Sequence, residues 1–414
     1  MPASTEIRPD RRLAPRPLPA HLASAIMLWQ TSRAALKESS SAWPLWSGGD
    51  ASRWRSLAAE IAQSGPDAVA AALDGEVSRS ARRFLDGLEA YRRHPYRRAA
   101  ERALVRWQEG STRLLDYGTG GGPVVLVIPS LINRFYVLDL LPRQSFLGHL
   151  AAAGLRPLVI DWGAPGPDER GFGLSDYIAG RLDAALTAAR ALAPGPVGIA
   201  GYCIGGLLAL ALALRRPAET AALMLLATPW DFHAERRAEA QFLGRAAGLA
   251  AASGEALPVE ALPVEAIQTL FFALDPLLAE RKFRRFAEFD AESAAARMFV
   301  ALEDWINDGV PLAAGVAREC FGGWYGANDP SHGSWRIAGQ AVIPEELNRP
   351  VLVVLPARDR IVPPASAAPL AAALPAAAVL RPPLGHIGMM AGETAPQTLW
   401  PALTEWLSAN ISAA

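Results

Sequence analysis

The sequence predicts an α/β protein, a mostly parallel sheet flanked by helices, with a helical N-terminal region and an inserted helical segment. The runs Val124–Ile128, Leu155–Asp161, Val197–Ala200, Leu223–Ala227 and Val351–Leu355 are short, apolar and bounded by Gly, Pro or polar residues. Continuous apolar runs of this length suit strands buried on both faces. Helical stretches such as Asp183–Leu192 and Leu207–Arg215 separate them, and strands alternating with helices mark a parallel sheet. From Phe232 to about Asn328 the alternation gives way to Ala-, Glu-, Arg- and Leu-rich helical sequence. Its place between two core strands predicts a lid or cap.

Four regions follow: helical 1–112, a first part of the core at 113–231, the inserted lid at 232–328 and a second part of the core at 329–414. The first opens on a polar, Pro-containing tail. Behind it Leu57, Ile61, Val69, Leu73, Phe84, Leu88 and Tyr91 recur at helical spacings. Strands are expected only after residue 112. Inside the lid Leu-Pro-Val-Glu-Ala occurs twice, at 257–261 and 262–266. Pro258 and Pro263 fit first-turn positions of short helices, and five residues are too few for a repeat architecture.

A chain of 414 residues with 51% hydrophobic and 20% charged residues can bury a large core. Its formal charge of −1 argues against a dedicated nucleic-acid binder. Residues 1–113 nevertheless carry 18 Lys+Arg against 12 Asp+Glu; that basic end is a solvated helical face or a surface for an anionic ligand, a partner or a granule. Two cysteines make no disulfide framework and suit a reducing, cytoplasmic setting. The first 21 residues lack the apolar core of a secretory signal. The apolar stretch near Leu207–Leu214 ends at Arg215 and Arg216, too short for a membrane span.

Gly201-Tyr202-Cys203-Ile204-Gly205-Gly206 lies between a strand ending at Ala200 and a helix from Leu207. A nucleophile at the apex of a sharp strand–turn–helix needs glycines where Cβ atoms would collide. The backbone N–H groups at the helix start favour a thiolate and an oxyanion. Ile204 is the expected first oxyanion donor, and the loop around Ser130 and Leu131 supplies the second through Leu131. The competing reading of Cys203 is a core cysteine in a glycine-rich packing turn. In this chain order an acid and then a base should follow. Asp359 comes directly after the strand Val351–Leu355, and His386 stands in Leu-Gly-His-Ile-Gly, 27 residues further on. Together they predict an α/β-hydrolase fold with a Cys203–Asp359–His386 triad.

Asp231, in Thr-Pro-Trp-Asp-Phe, is the rival orienting acid or else a cap at the start of the inserted segment. His21, His94, His149, His233 and His332 lack a position after a late core strand, and Cys320 reads as structural. No metal-ligand spacing, phosphate-binding loop or dinucleotide fingerprint occurs, so no cofactor and no metal are expected. A cysteine nucleophile favours acyl exchange between thioesters without excluding hydrolysis.

Pro129–Leu140, Ile160–Gly163, Gly201–Gly206, Thr228–His233 and Gly385–Gly388, taken as an ordered set, resemble the polyhydroxyalkanoate synthases, above all their short two-component type. The resemblance spans roughly residues 115–410. Arg360 stands where the family acid is usually followed by His, and Trp324–Trp335 replaces a longer polar motif. The resemblance implies an acyltransferase that loads (R)-3-hydroxyacyl groups from CoA onto Cys203 and extends a polyester, with Asp359 as acid and His386 as base. CoA thioester enters as substrate, and a second synthase subunit, a homo-oligomer or a polyester granule surface are the implied partners. Arg134 would meet CoA phosphates or is a structural surface arginine, and Tyr202 is expected to contact substrate. A cysteine-dependent thioesterase and a non-catalytic granule- or partner-binding protein remain as alternatives.

Overall fold

The computed structural model describes residues 12, 15–38, 56, 59–60, 63–99, 103–118, 120–193, 195–235, 237–252, 261–375 and 377–412. Leu57, Ile61 and most of the first Leu-Pro-Val-Glu-Ala copy, with Pro258, lie outside them. Two compact units emerge. One combines Met1–Arg97 with Gln268–Asn307, and the other combines Arg98–Ile267 with Asp308–Ala414.

The larger unit is built on an eight-stranded sheet. Numbering its strands alone, these are β1 (Leu104–Glu109), β2 (Thr112–Asp116), β3 (Val124–Ile128), β4 (Arg156–Asp161), β5 (Val197–Tyr202), β6 (Thr220–Leu226), β7 (Val351–Val354) and β8 (Ala378–Leu380). Their spatial order is β1-β2-β4-β3-β5-β6-β7-β8. The hairpin β1–β2 and the pair β2–β4 are antiparallel, and every later pairing is parallel. β3, β5, β6 and β7 are buried at every residue, which is why they read as unbroken apolar runs. Ile128 pairs with Gly201 and Tyr202 with Leu226. That register aligns the carboxyl ends of β3, β5 and β6, the edge where open α/β sheets hold their ligands.

The sheet begins before residue 113, contrary to the expectation that strands follow residue 112. β1 reads Leu-Val-Arg-Trp-Gln-Glu and is exposed at five of its six positions, as an outer strand is, so it carries no apolar run. It is held through Asp116, whose carboxylate accepts Arg106 of β1 at 2.7 Å and Arg156 of β4 at 2.7 Å. Burial alone would raise the Asp116 pKa, but the bonds to Arg156 and Arg106 outweigh it and hold the carboxyl below its ordinary value.

The segment 232–328, expected as one lid and helical throughout, is divided. Its residues 268–307 belong to the smaller unit and the remainder to the larger one. Ala261–Leu262 and Leu312–Ala313 form a short antiparallel ladder. Pro263 accepts the first amides of the helix Val264–Leu274, those of Ala266 and Ile267, so it caps that helix from one residue ahead of the first turn expected for it. In the smaller unit Phe84, Leu88 and Tyr91 of the helix Pro66–Arg93 are buried against Phe283, Phe286 and Val300. An added Cβ at Gly87 would lie 1.9 Å from the Phe283 carbonyl oxygen, so this helix and the helix Leu278–Phe286 meet in direct backbone contact.

Asp116→Ala should destabilise the larger unit by about 3 kcal/mol, because it removes the buried carboxylate that pairs Arg106 and the half-buried Arg156. Urea unfolding checks this. Asp116's share of stability is present above the ordinary carboxylate range and is lost as pH falls through its depressed pKa, so the gap between wild type and variant should close in acid.

Candidate active site

At the end of β5 the chain reverses into the helix Ile204–Arg215, and the residue at the turn is Cys203, with φ 57 and ψ −131. A side chain here costs on the order of 1–3 kcal/mol, held only where surroundings over-determine it. The surroundings are explicit. Cys203 N–H donates to Leu226 of β6 at 2.8 Å, and its carbonyl accepts Gly206 N–H at 2.9 Å. A Cβ on Gly201 would lie 2.5 Å from Gly206 Cα, one on Gly205 2.2 Å from the Ile128 carbonyl oxygen, and one on Gly206 1.8 Å from Thr228 Oγ1. Those glycines let the helix start press against the ends of β3 and β6. Cys203 remains half-buried.

The approach at Gly205 sets the loop Pro129–Leu131 beside Ile204. Trp162 Nε1 donates to the Pro129 carbonyl at 3.1 Å, and Ser130 Oγ accepts Ile132 N–H at 3.1 Å. Leu131 also lines a cavity of about 10 Å³, shared with Trp162, Tyr177 and Leu312, about the size of one water. Ile204 is the first residue of its helix, where backbone donors have no intrahelical partner.

Asp359 and His386 reach the same edge because the chain beyond β7 continues to pair with the chain beyond β8. Leu355, Ala357 and Arg358 donate to the carbonyls of Leu380, Pro382 and Leu384. Asp359 Oδ1 accepts Ile361 N–H at 2.9 Å and Val362 N–H at 2.8 Å, while Oδ2 meets His386 Nδ1 at 2.7 Å. The other imidazole nitrogen is left open, and the Cys203 charge acts on His386. Burial lowers the proton affinity of His386, but the influence of Cys203, chiefly its charge, with the bond to Asp359 and the Asp359 charge, outweighs it. The pKa rises from 6.5 to about 10.

Tyr202, expected at the substrate, is 3% exposed. Its hydroxyl donates to the His386 carbonyl at 3.2 Å, and its ring lies 5.1 Å from the imidazole. It supports the histidine loop, a role set by its position on the buried face before the turn. Burial, then the charges of Cys203 and Asp359, hold its phenol well above the ordinary value. Arg134 donates to Asp308 at 3.0 Å, and Tyr136 binds the other oxygen of that carboxylate at 2.9 Å. The guanidinium is one-third exposed and already paired, so the structural reading of Arg134 describes its surroundings.

Asp231, the rival acid, accepts His233 N–H and Asn328 Nδ2–H, each at 2.8 Å, so it caps the turn that follows it. His233 and His332 each meet a backbone carbonyl, and His149 packs on Trp400. His21 and His94 belong to the smaller unit. Cys320 is buried, and burial, then the Glu319 charge, pushes its thiol up. A residue that spacing did not reveal is Tyr325. Burial raises its phenol pKa first, and the charges of Cys203 and then Cys320 add to the shift. Its ring meets Phe232 edge-on at 4.9 Å.

The family model for the alpha/beta hydrolase fold matches residues 123–393. The chain belongs to that family. Among the relatives of this chain, the poly(3-hydroxyalkanoate) polymerase subunit PhaC of Haloferax mediterranei is 27% identical over 318 residues, 73% of this chain and 63% of the relative. The subunit of the same name from Allochromatium vinosum is 27% identical over 289 residues, 69% of this chain and 80% of the relative. The resemblance read from the ordered motifs thus extends across most of the hydrolase-fold region. A solved hydrolase-fold structure, the monoacylglycerol lipase of Paleococcus ferrophilus, is 16% identical and covers 72% of this chain and 99% of its own, with a TM-score of 0.46. No helix among the described residues is long and apolar enough to cross a membrane.

His386 should titrate near pH 10 when followed by NMR of its ring protons. In Cys203→Ala the midpoint should fall by about one unit or more, because the Cys203 charge that favours the imidazolium is gone. The stabilisation from this imidazolium is complete below pH 6.5 and lost as pH rises through about 10. Gly205→Ala should lower thermal stability by at least about 4 °C and abolish rapid Cys203 alkylation, since the helix start must retreat from Ile128.

Proposed function

We propose that this protein is an acyltransferase of the polyhydroxyalkanoate-synthase type, taking (R)-3-hydroxyacyl groups from CoA thioesters. The observation that carries the proposal is the buried Asp359–His386 hydrogen bond together with Cys203 at the strained turn, whose charge raises the pKa of His386. Similarity to polymerase subunits supports its substrate class.

In the proposed reaction the Cys203 sulfur, with His386 holding its proton, attacks the thioester carbonyl. The oxyanion that forms is met by the Ile204 N–H and the Leu131 N–H. Collapse breaks the carbon–sulfur bond to CoA, whose thiolate takes the proton from His386 and leaves. The acyl group is then a thioester on Cys203, close in free energy to the one it came from. His386 next accepts the proton of a second unit's 3-hydroxyl as that oxygen attacks the acyl-enzyme. An ester forms, the Cys203 thiolate is released, and the imidazolium is restored. Asp359 keeps Nδ1 occupied, so the other nitrogen does the proton transfer. Tyr202 steadies the loop through the His386 carbonyl.

Purified protein given (R)-3-hydroxybutyryl-CoA should release CoA and form insoluble polyester, and Cys203→Ala should lose both on the order of a thousandfold or more. Release of CoA with only free hydroxy acid would replace the transferase with a thioesterase. Equal turnover by wild type and Cys203→Ala would remove Cys203 from the chemistry.

A further inference from the structure

A CoA thioester carries its charge away from the reacting carbonyl. The pyrophosphate and 3′-phosphate lie beyond the pantetheine arm, so the groups that recognise them stand off from the nucleophile. Arg134, expected at those phosphates, is held by Asp308. The phosphates therefore need other cations.

Residues 347–392 contain four arginines, Arg349, Arg358, Arg360 and Arg381, and a single acid, Asp359. Arg349 precedes β7, at its amino end. The other three follow the carboxyl ends of β7 and β8, the edge where open α/β sheets bind ligands.

Backbone bonds fix these arginines against the loop that carries His386. Asp359 N–H donates to the Pro356 carbonyl at 3.1 Å, closing a turn with Arg358 at its third position. Arg358 N–H donates to the Leu384 carbonyl at 2.9 Å, and a Cβ on Gly385 would lie 3.4 Å from the Arg358 carbonyl oxygen. Arg360 is enclosed by the Asp359 carboxylate, which accepts the amides of Ile361 and Val362 just beyond it. Arg381 lies between Leu380 and Pro382, whose carbonyls accept the amides of Leu355 and Ala357. Asp359 itself is buried and bound to His386, whereas Arg358, Arg360 and Arg381 are all exposed. Among the described residues no carboxylate, carbonyl or ring engages any of their three side chains. Elsewhere in the larger unit Arg106, Arg113, Arg156, Arg181 and Arg216 are each paired with an acid.

We propose that Arg358 and Arg360, together with Arg381, form the anion subsite that takes the phosphates of the CoA head group. The inference rests on the acyl-CoA reading of the triad. A guanidinium meets phosphate oxygens through paired N–H bonds, which a lysine ammonium offers only as a point charge. Asp359 serves both ends of the substrate: one oxygen orients the base, and the other sets the turn that presents the arginines.

The test uses the full chain and two thioesters, (R)-3-hydroxybutyryl-CoA and (R)-3-hydroxybutyryl-N-acetylcysteamine, which ends before any phosphate. In Arg358→Ala/Arg360→Ala, KM for the CoA thioester should rise by about tenfold, with kcat changed less. KM for the phosphate-free thioester should move by less than about twofold, and Arg358→Lys/Arg360→Lys should recover part of the loss. Arg349→Ala removes one charge from the other end of β7 and should leave the CoA thioester's KM in place. Calorimetry with free CoA and with pantetheine makes the same comparison without turnover. An unchanged KM for the CoA thioester in the double alanine variant would overturn the inference. So would equal losses with both thioesters, or an equal effect of Arg349→Ala. If wild type turns over neither thioester, the acyltransferase proposal fails and calorimetry alone decides the subsite. Weaker CoA binding in the double alanine variant then upholds it, and equal or undetectable binding in wild type and variant overturns it.

Discussion

Cys203 stands where a β-strand must reverse into a helix within one residue, and its backbone at φ 57 and ψ −131 is one that a side chain seldom adopts. That conformation is held from three directions. Its N–H is tied to Leu226, its carbonyl to Gly206, and the helix beyond it is pressed on the Ile128 and Pro129 carbonyls through the bare Cα of Gly205. Relaxing the turn would swing the sulfur away from His386 and the Ile204 N–H away from the Pro129–Leu131 loop. The parallel register of β3, β5 and β6 therefore does more than build a core. It supplies the rigid frame against which the strained residue cannot relax.

Electrostatics at the site follow from burial. A buried imidazole alone would prefer to be neutral, and the opposing charge of Cys203, with the hydrogen bond and charge of Asp359, reverses that preference. Asp359 is itself anchored by two backbone N–H groups, so it can hold the ring without turning toward solvent. The contrast with Cys320 is instructive. It is buried, the neighbouring Glu319 charge adds to the effect, and its thiol is pushed up, as an inert core cysteine's should be.

Much of this was legible in the sequence because it is local. Strands buried on both faces write continuous apolar runs, and the elbow compresses strand, nucleophile and helix into a few residues around Cys203. β1 was not legible, since an outer strand exposed at most positions keeps no apolar pattern. The helices of 268–307 read as helices in either unit; which unit they join depends on contacts such as Phe283 with Phe84, from distant parts of the chain. Asn328 finds Asp231 across 97 residues, and Arg134 finds Asp308 across 174. No spacing rule couples positions so far apart. Tyr202 was assigned to substrate from its place in the motif, whereas side-chain alternation along β5 directs its hydroxyl to the His386 carbonyl.

The most direct measurement of the central claim is the covalent state of Cys203 during turnover. Protein mixed with (R)-3-hydroxybutyryl-CoA, quenched in acid within the first turnovers and digested, should yield a Cys203 peptide carrying a hydroxylamine-labile 3-hydroxyacyl thioester, with the Cys320 peptide unmodified. CoA release with the acyl group on another residue, or with no acyl-enzyme at any time while turnover proceeds, would contradict it.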